Sequence, residues 1–244
     1  METGKLRDDV IFEWPKTQGF KIGVDILPPL GSDTFYRNFS LGIKRGFDVF
    51  FSLVLLIFLA PLFGLVAFLI AVESPGNPIY KQRRKGKDET PFEMYKFRTM
   101  VPDAHQRRQT LFSSNEVDGI IFKLRQDPRI TRMGRWLRKF SVDELPQLIN
   151  VLKGEMSLVG PRPFSVEVFS RGPVGQWRYE FWLRERHRLL PGMTGLWQVS
   201  GRNDLPFETL MRLDLLYVKD FSLWLDCWIL LKTLPAVLWR RGAY

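Results

Sequence analysis

The longest apolar run of the chain lies at residues 49–72, where 24 consecutive positions carry no charged side chain. A membrane helix needs about 20 such residues, whereas ordinary buried core helices have runs of about 10–14. Pro61 lies in the middle of this run, and a proline inside a helix removes a backbone hydrogen bond and bends it. The pattern predicts a membrane helix broken at Ala60–Pro61, with a buried core helix as the weaker alternative.

The charges on the two sides of this run have the same sign. Lys44 and Arg45 precede it, and a cluster of cations follows it: Lys81, Arg83, Arg84, Lys85 and Lys87. Because cationic flanks tend to stay in the cytoplasm, both ends are expected on the cytoplasmic face. A re-entrant helix, which enters the bilayer and returns, satisfies this better than the alternative of a kinked single span.

The pattern changes after the turn-forming segment ESPGNP at 73–78. Residues 79–80 and 92–97 are rich in β-forming side chains, and Lys-Gly-Lys-Asp at 85–88 is typical of a turn. This predicts an antiparallel hairpin. Since side chains alternate along a strand, Lys96 and Arg98 would share one face, where we expect them to bind phosphate. The cations at 83–87 would contact lipid headgroups.

The stretch 127–163 contains two adjacent carboxylates, Asp143 and Glu144. An apolar helical pattern follows them and ends at the rigid turn Gly160-Pro161-Arg162-Pro163. A run of cations precedes them: Arg129, Arg132, Arg135, Arg138 and Lys139. Cations beside paired acids suit a polyanionic substrate. The carboxylates would hold Mg²⁺, or one of them would attack phosphorus.

A structural interpretation of the same residues is open. Ser141 and Glu144 have the spacing of a capping box, in which both would only begin a helix. Pro146 would then be the fifth helical residue, where it lacks a needed N–H. Either the helix begins nearer Pro146 or it is distorted there. In both cases Asp143 and Glu144 lie at a helix entrance, where free amides favour anions.

The remaining segments combine aromatic and basic side chains. Residues 164–189 are expected to form an interfacial helix, with single-stranded nucleic acid as an alternative ligand. Residues 190–204 contain three glycines around a short apolar strand and are interpreted as a substrate loop, with Arg202 as its best phosphate or sugar ligand. The amphipathic stretch 207–244 predicts a pair of helices lying in the membrane interface.

Composition narrows the class of protein. The 244 residues carry a net charge of +10, which indicates an anionic partner such as a phosphorylated substrate, anionic lipid or nucleic acid. The single cysteine, Cys227, excludes an intrachain disulfide and a cysteine-based zinc site. We expect an α+β fold with a short antiparallel sheet. It would comprise an N-terminal extension at 1–42, the re-entrant helix at 43–78 and a catalytic domain with interfacial helices at 79–244.

Five sequence blocks in order carry a resemblance to a known family: KRGFDV, PIYKQRRKGKDETPFEMYKFRTM, SVDELPQLINVLKGEMSLVGPRP, PGMTGLWQVSGRND and RGAY. Over residues 43–244 the chain resembles the bacterial sugar transferases that are monotopic polyprenyl-phosphate phosphoglycosyl transferases. The last two blocks are similar to the branch that initiates exopolysaccharide synthesis with galactose 1-phosphate or glucose 1-phosphate.

The resemblance implies an enzyme on the cytoplasmic face of the bacterial inner membrane. UDP-galactose or UDP-glucose would be the donor, Mg²⁺ the cofactor and undecaprenyl phosphate the acceptor. Asp143 would attack the β-phosphate, release UMP and carry a covalent sugar phosphate, while Glu144 assists metal binding or proton handling. No nucleic acid is expected, and the sequence is compatible with a homo-oligomer.

The resemblance also assigns residues individually. Asp226 matches a late acidic position of the family, Asp214 is a second acidic candidate, and Ala60 stands where many members have serine before the helix-breaking proline. The family's phosphate-facing cations correspond to Lys96, Arg138, Arg162 and Arg202. Three rival functions remain open at this stage: a membrane-surface nucleic-acid-binding protein, a non-catalytic scaffold and a metal-dependent UDP-sugar hydrolase.

Overall fold

The protein is described from a computed structural model, which covers residues 34–104, 106–107, 124, 126–166, 177–201 and 205–238. Within these residues it is a mixed α+β structure with two two-stranded sheets. The helices are α1 (Thr34–Glu73), α2 (Arg132–Lys139), α3 (Gln147–Lys153), α4 (Trp177–Arg186), α5 (Leu196–Ser200), α6 (Phe207–Lys219) and α7 (Leu223–Leu238). The strands are β1 (Ile79–Lys85), β2 (Pro91–Phe97), β3 (Ser157–Val159) and β4 (Gly192–Thr194).

The long apolar run forms one helix of 40 residues, with Pro61 inside it. Helical structure continues through Pro61, because a single proline removes one backbone hydrogen bond while the flanking apolar residues continue the helix. The re-entrant path predicted from Ala60–Pro61 stays a prediction. Arg37–Glu73 is long and apolar enough to cross a membrane, and only 11% of its most apolar 18-residue stretch is buried. The alternative of a buried core helix is therefore wrong, and the exposed surface indicates membrane association.

The C-terminal end of α1 packs against the globular part of the chain. Val66 and Ile70 form a buried cluster with Phe97 at the end of β2 and with Leu137 of α2. The helix ends at Glu73, whose carboxylate accepts hydrogen bonds from the first backbone amides of α2. This end of the apolar helix is therefore fixed to both β2 and α2.

Within the unit Ser40–Tyr244, the part of α1 around residues 45–48 also packs against the globular elements. Arg45 donates to the last carbonyls of α3, those of Val151 at 2.6 Å and Leu152 at 2.9 Å. Asp48 accepts a hydrogen bond from the backbone amide of Leu158 in β3 at 3.1 Å. Between these two contact regions Phe58 is 78% exposed. The helix thus contacts the globular unit at two separate places and exposes its apolar middle.

The predicted hairpin is confirmed. Strands β1 and β2 pair antiparallel from Ile79 opposite Phe97 to Lys85 opposite Pro91. The turn between them spans residues 86–90, close to the predicted turn at 85–88. The hairpin follows from two β-prone segments of sufficient length separated by a glycine-containing turn.

A second, parallel pair of strands is not predicted by the sequence pattern. Ser157 of β3 pairs with Gly192 of β4, and Val159 pairs with Thr194. A side chain at Gly192 would place its Cβ 2.0 Å from the backbone nitrogen of Gly160, so the close approach of these two backbone segments requires glycine. The pairing of β3 with β4 brings the Gly160–Pro163 turn beside α5.

Candidate active site

Asp143 and Glu144 lie in a 3₁₀ turn, Val142–Glu144, immediately before α3. The capping-box interpretation is wrong: Ser141 has a left-handed backbone, with φ of 56°, and its side chain makes no capping hydrogen bond. Helix α3 begins at Gln147, directly after Pro146, as the alternative predicted. Proline is tolerated there because the first helical turn needs no donor from it.

The carboxylate of Asp143 is buried, with 8% of the residue exposed, and makes no hydrogen bond or ion pair with any described residue. Burial raises the pKa of Asp143 above its ordinary value, and the charge of Glu144 adds to this shift. The cations Lys96, Arg138 and Arg162 oppose it. A carboxylate without a fixed partner therefore lies within electrostatic reach of three cations.

Glu144 holds two of these cations. The Lys96 Nζ donates to Glu144 Oε1 at 2.7 Å, and the Arg162 guanidinium lies 3.7 Å from the same oxygen. The guanidinium also lies over the indole of Trp197, 4.7 Å from the ring centroid. Strand β2, the 3₁₀ turn, the Gly160–Pro163 turn and α5 thus converge on one site, where Lys96 and Arg162 lie at the carboxylate pair; their binding of phosphate stays a prediction.

Arg138 reaches the same site from α2. Its Nε donates to Thr99 Oγ1 at 2.9 Å. Burial lowers the pKa of Arg138, and the negative charge of Asp143 opposes this shift. The other cations of the predicted run do not converge there. Arg129 forms a buried ion pair with Asp127 at 2.6 Å, and the remaining three are exposed on α2: Arg132, Arg135 and Lys139.

Arg98 has a different position from the one predicted. Its guanidinium donates to the carbonyls of Ser74 at 2.5 Å and Pro75 at 2.8 Å, directly after α1. The alternation rule placed Arg98 beside Lys96, but β2 ends at Phe97, so the rule does not extend to it. We therefore assign Arg98 to fixing the end of the apolar helix rather than to phosphate binding.

Asp214 is not a free acid but half of a fully buried ion pair with Arg186. The same guanidinium donates to the carbonyl of Arg162 at 2.5 Å and lies 4.0 Å from the ring centroid of Phe164. Burial raises the pKa of Asp214, and Arg186 opposes that shift. The pair therefore fixes the backbone of the turn that presents Arg162, a function that the sequence pattern does not reveal.

Asp226 also has a structural environment. Its carboxylate accepts from Lys44 Nζ at 2.5 Å and from the Tyr217 hydroxyl at 2.7 Å, which ties α7 to α1 and α6. Burial raises the pKa of Asp226, opposed by Lys44. The KRGFDV block thus supplies tertiary contacts through Lys44, Arg45 and Asp48. The last predicted site residue, Arg202, lies outside the described residues.

The metal-binding capacity of the site rests on two carboxylates. Among the described residues, no cluster of three or more histidine, cysteine, aspartate or glutamate side chains is placed so that it could hold a metal ion. Mg²⁺ commonly keeps several waters and binds one or two carboxylates plus substrate phosphates, so a larger protein cage is not required. The carboxylate of Asp143, which has no partner among the described residues, fits such an ion together with Glu144.

The sequence profile of the bacterial sugar transferase family matches residues 39–240. The exopolysaccharide production protein ExoY of Sinorhizobium fredii is 44% identical to the chain, over 82% of the chain and 88% of that protein. The undecaprenyl-phosphate galactose phosphotransferase of Salmonella typhimurium is 44% identical, over 83% of the chain and 42% of that protein.

The undecaprenyl-phosphate glucose phosphotransferase of Komagataeibacter xylinus is 40% identical to the chain, over 82% of the chain and 37% of that protein. The chain therefore spans less than half the length of the two phosphotransferases and most of the length of ExoY. The profile covers most of the chain, including most of α1, both sheets and the paired carboxylates. The chain belongs to the bacterial sugar transferase family.

Proposed function

We propose that the protein transfers a hexose 1-phosphate from a UDP-sugar to undecaprenyl phosphate and so initiates exopolysaccharide synthesis. The products are undecaprenyl diphospho-sugar and UMP. The observation that carries the proposal is the buried carboxylate of Asp143, which has no hydrogen-bond or ion-pair partner among the described residues and lies within electrostatic reach of Lys96, Arg138 and Arg162. The names of the galactose and glucose phosphotransferases make UDP-galactose and UDP-glucose the donors to test first.

The reaction proceeds in two displacements. The Asp143 carboxylate attacks the β-phosphorus of the donor, the bond from that phosphorus to the bridging oxygen breaks, and UMP leaves with the electron pair. An oxygen of undecaprenyl phosphate then attacks the same phosphorus and releases the carboxylate of Asp143. Every bond formed is matched by one broken, and neither oxidant nor reductant is needed.

The cations lower the barrier by stabilising charge on the transferring phosphate. Lys96 and Arg162 are held in position by Glu144, so little reorganisation is needed when charge develops. Arg138 approaches from a separate helix and is fixed by Thr99. Phosphoryl transfer depends mainly on positioning and electrostatic stabilisation. The three fixed cations, Lys96, Arg138 and Arg162, would supply both.

Mg²⁺ is the proposed cofactor, and Asp143 and Glu144 are the residues that would hold it. When bound, the ion would neutralise charge on the diphosphate of the donor. Glu144 can contribute while it also accepts from Lys96, because a carboxylate has two oxygens and several lone pairs.

The expected products separate this proposal from its rivals. Purified protein with Mg²⁺, UDP-galactose or UDP-glucose, and undecaprenyl phosphate should yield UMP and a lipid-linked sugar diphosphate in equal amounts. Free sugar phosphate independent of lipid would instead identify a hydrolase. No turnover with any UDP-hexose would favour a scaffold, and salt-sensitive DNA binding would support the nucleic-acid-binding alternative.

For the membrane arrangement we propose that both ends of the apolar segment face the cytoplasm. Two observations support this: the flanking charges have the same sign, and both parts of α1 contact the globular unit that carries Asp143. A straight crossing would carry its two ends to opposite sides of a bilayer core about 30 Å thick. A bend at Pro61 would then return the chain to the cytoplasmic face, because a proline inside a helix is a common cause of kinks.

Cysteine labelling tests this arrangement. In a Cys227→Ser background, single cysteines at Asn38 and Pro75 should resist a membrane-impermeant maleimide in intact cells, and both should react after permeabilisation. Pro75 is preferable to Gly76, whose φ of 111° disfavours any side chain. Labelling of one position in intact cells, with protection of the other, would establish a single span.

A further inference from the structure

Two polar groups of α5 are buried and have no hydrogen-bond partner in the part of the chain that the structure describes: the indole N–H of Trp197 and the amide oxygen of Gln198. Trp197 is 3% exposed and Gln198 is 8% exposed. Among the described residues, nothing accepts a hydrogen bond from the Trp197 indole. Buried polar groups in proteins are almost always paired, so an unpaired donor and acceptor in one helical turn are candidates for binding a ligand.

Arg162 connects this helical turn to the reacting groups. Its guanidinium lies 4.7 Å from the Trp197 ring centroid and 3.7 Å from Glu144 Oε1, beside Asp143 in the chain. One face of the indole is therefore covered by a phosphate-binding cation. Stacking of a base on that face is excluded, and the N–H at the ring edge is the part of Trp197 that remains to bind a ligand.

The covalent structure of the UDP-sugar indicates which of its parts would lie nearest Trp197. The hexose is bonded directly to the phosphorus that Asp143 attacks, whereas uracil is separated from it by the α-phosphate and the ribose. A group that contacts Arg162 at short range is therefore closer to the hexose than to the base. Sugar hydroxyls both donate and accept hydrogen bonds, so they can accept from the Trp197 N–H and donate to the Gln198 amide oxygen.

We propose that Trp197, with Gln198, binds a hydroxyl group of the donor hexose and thereby helps to determine which UDP-sugar is used. This inference rests on the proposed function. Trp197 has two separate roles in it: its ring supports Arg162, and its N–H contacts the sugar. The two roles are separable, because phenylalanine retains an aromatic ring but has no donor.

Trp197→Phe is the discriminating variant. We expect KM for the preferred UDP-hexose to rise about 5- to 10-fold, the size of one neutral hydrogen bond, with kcat within about 2-fold of wild type. The inhibition constant of UMP, which lacks the hexose, should stay within about 2-fold. Trp136→Phe removes an exposed indole from α2 and serves as the matched control, with all constants unchanged.

Deoxy analogues of the donor identify the hydroxyl. With wild type, one UDP-deoxyhexose should have a KM as high as that of the parent UDP-hexose with Trp197→Phe. With Trp197→Phe, the KM of this analogue should be no higher than with wild type, because the same hydrogen bond is lost in both cases. If Trp197→Phe does not fold, Gln198→Met, which removes the neighbouring amide at similar length, should produce the same selective rise in KM.

Two results would overturn this inference and leave the proposed function intact. Equal weakening of UMP and UDP-hexose binding would place the indole against the nucleotide, and an unchanged KM in folded Trp197→Phe and Gln198→Met would show that no sugar hydroxyl is bound. Both require an active wild-type enzyme. A wild-type protein that turns over no UDP-hexose would instead overturn the proposed function, and with it this inference.

Discussion

Asp143→Asn is expected to lower turnover by about 10⁴-fold or more, because an amide cannot form the acyl phosphate that two displacements require. The substitution keeps the shape of a side chain that has no hydrogen bond to lose among the described residues. The loss should therefore appear in kcat rather than in folding. It is measured by UMP release in the presence of undecaprenyl phosphate, with the thermal unfolding midpoint as the check on structure.

Glu144→Gln is the matched control for this experiment. It removes the neighbouring charge and weakens the ion pair with Lys96, yet it leaves the nucleophile in place. We expect a loss of about 10- to 100-fold, smaller than that of Asp143→Asn because the electrostatic support is reduced rather than removed. Turnover by Asp143→Asn within about 10-fold of wild type would exclude Asp143 as the nucleophile.

Asp214→Ala is expected to lower the free energy of unfolding by about 3–5 kcal/mol, because it leaves the buried guanidinium of Arg186 without its counter-charge. The Gly160–Pro163 turn should loosen with it, since Arg186 also holds the carbonyl of Arg162. Activity should fall through Arg162 although Asp214 faces no substrate. Denaturant unfolding of the purified protein measures the first effect, and UMP release measures the second.

An exposed ion pair on the same helix provides the control for Asp214. Glu208 accepts from Arg212 at 2.9 Å in α6, and such surface pairs are worth about 0–1 kcal/mol. Glu208→Ala should therefore leave stability nearly unchanged. Replacing both buried partners, as Arg186→Met with Asp214→Leu, should be less destabilising than Asp214→Ala. Equal losses from Glu208→Ala and Asp214→Ala would refute the role assigned to the buried pair.

The parts of the fold that the sequence predicts well are those with long, regular patterns. The β1–β2 hairpin has two β-forming segments and a turn signal, and the start of α3 at Gln147 follows from the constraint of Pro146. The three-residue strands β3 and β4 are too short to show alternation, so their pairing depends on tertiary contacts. Continuity of α1 through Pro61 was likewise decided by the surrounding helix rather than by one residue.

The candidate site shows a similar division. Residue type and clustering single out Asp143 and Glu144 as candidates, but only the family resemblance groups Lys96 and Arg162 with them, because these cations lie far apart in the sequence. Residue type and clustering also do not show which way a charged side chain turns. Arg98 and Asp214 carry the predicted charges but are engaged by backbone carbonyls and by Arg186, respectively. The unpaired indole of Trp197 has no sequence signal, because burial and partners exist only in the folded chain.

The intact mass of the protein after incubation with Mg²⁺ and a UDP-hexose, without lipid acceptor, tests the covalent mechanism most directly. We predict an increase of one hexose phosphate in wild type, its absence in Asp143→Asn, and its loss from wild type when undecaprenyl phosphate is added. Formation of UMP and lipid-linked sugar at full rate with no adduct on rapid quenching, or an adduct that persists in Asp143→Asn, would contradict the account.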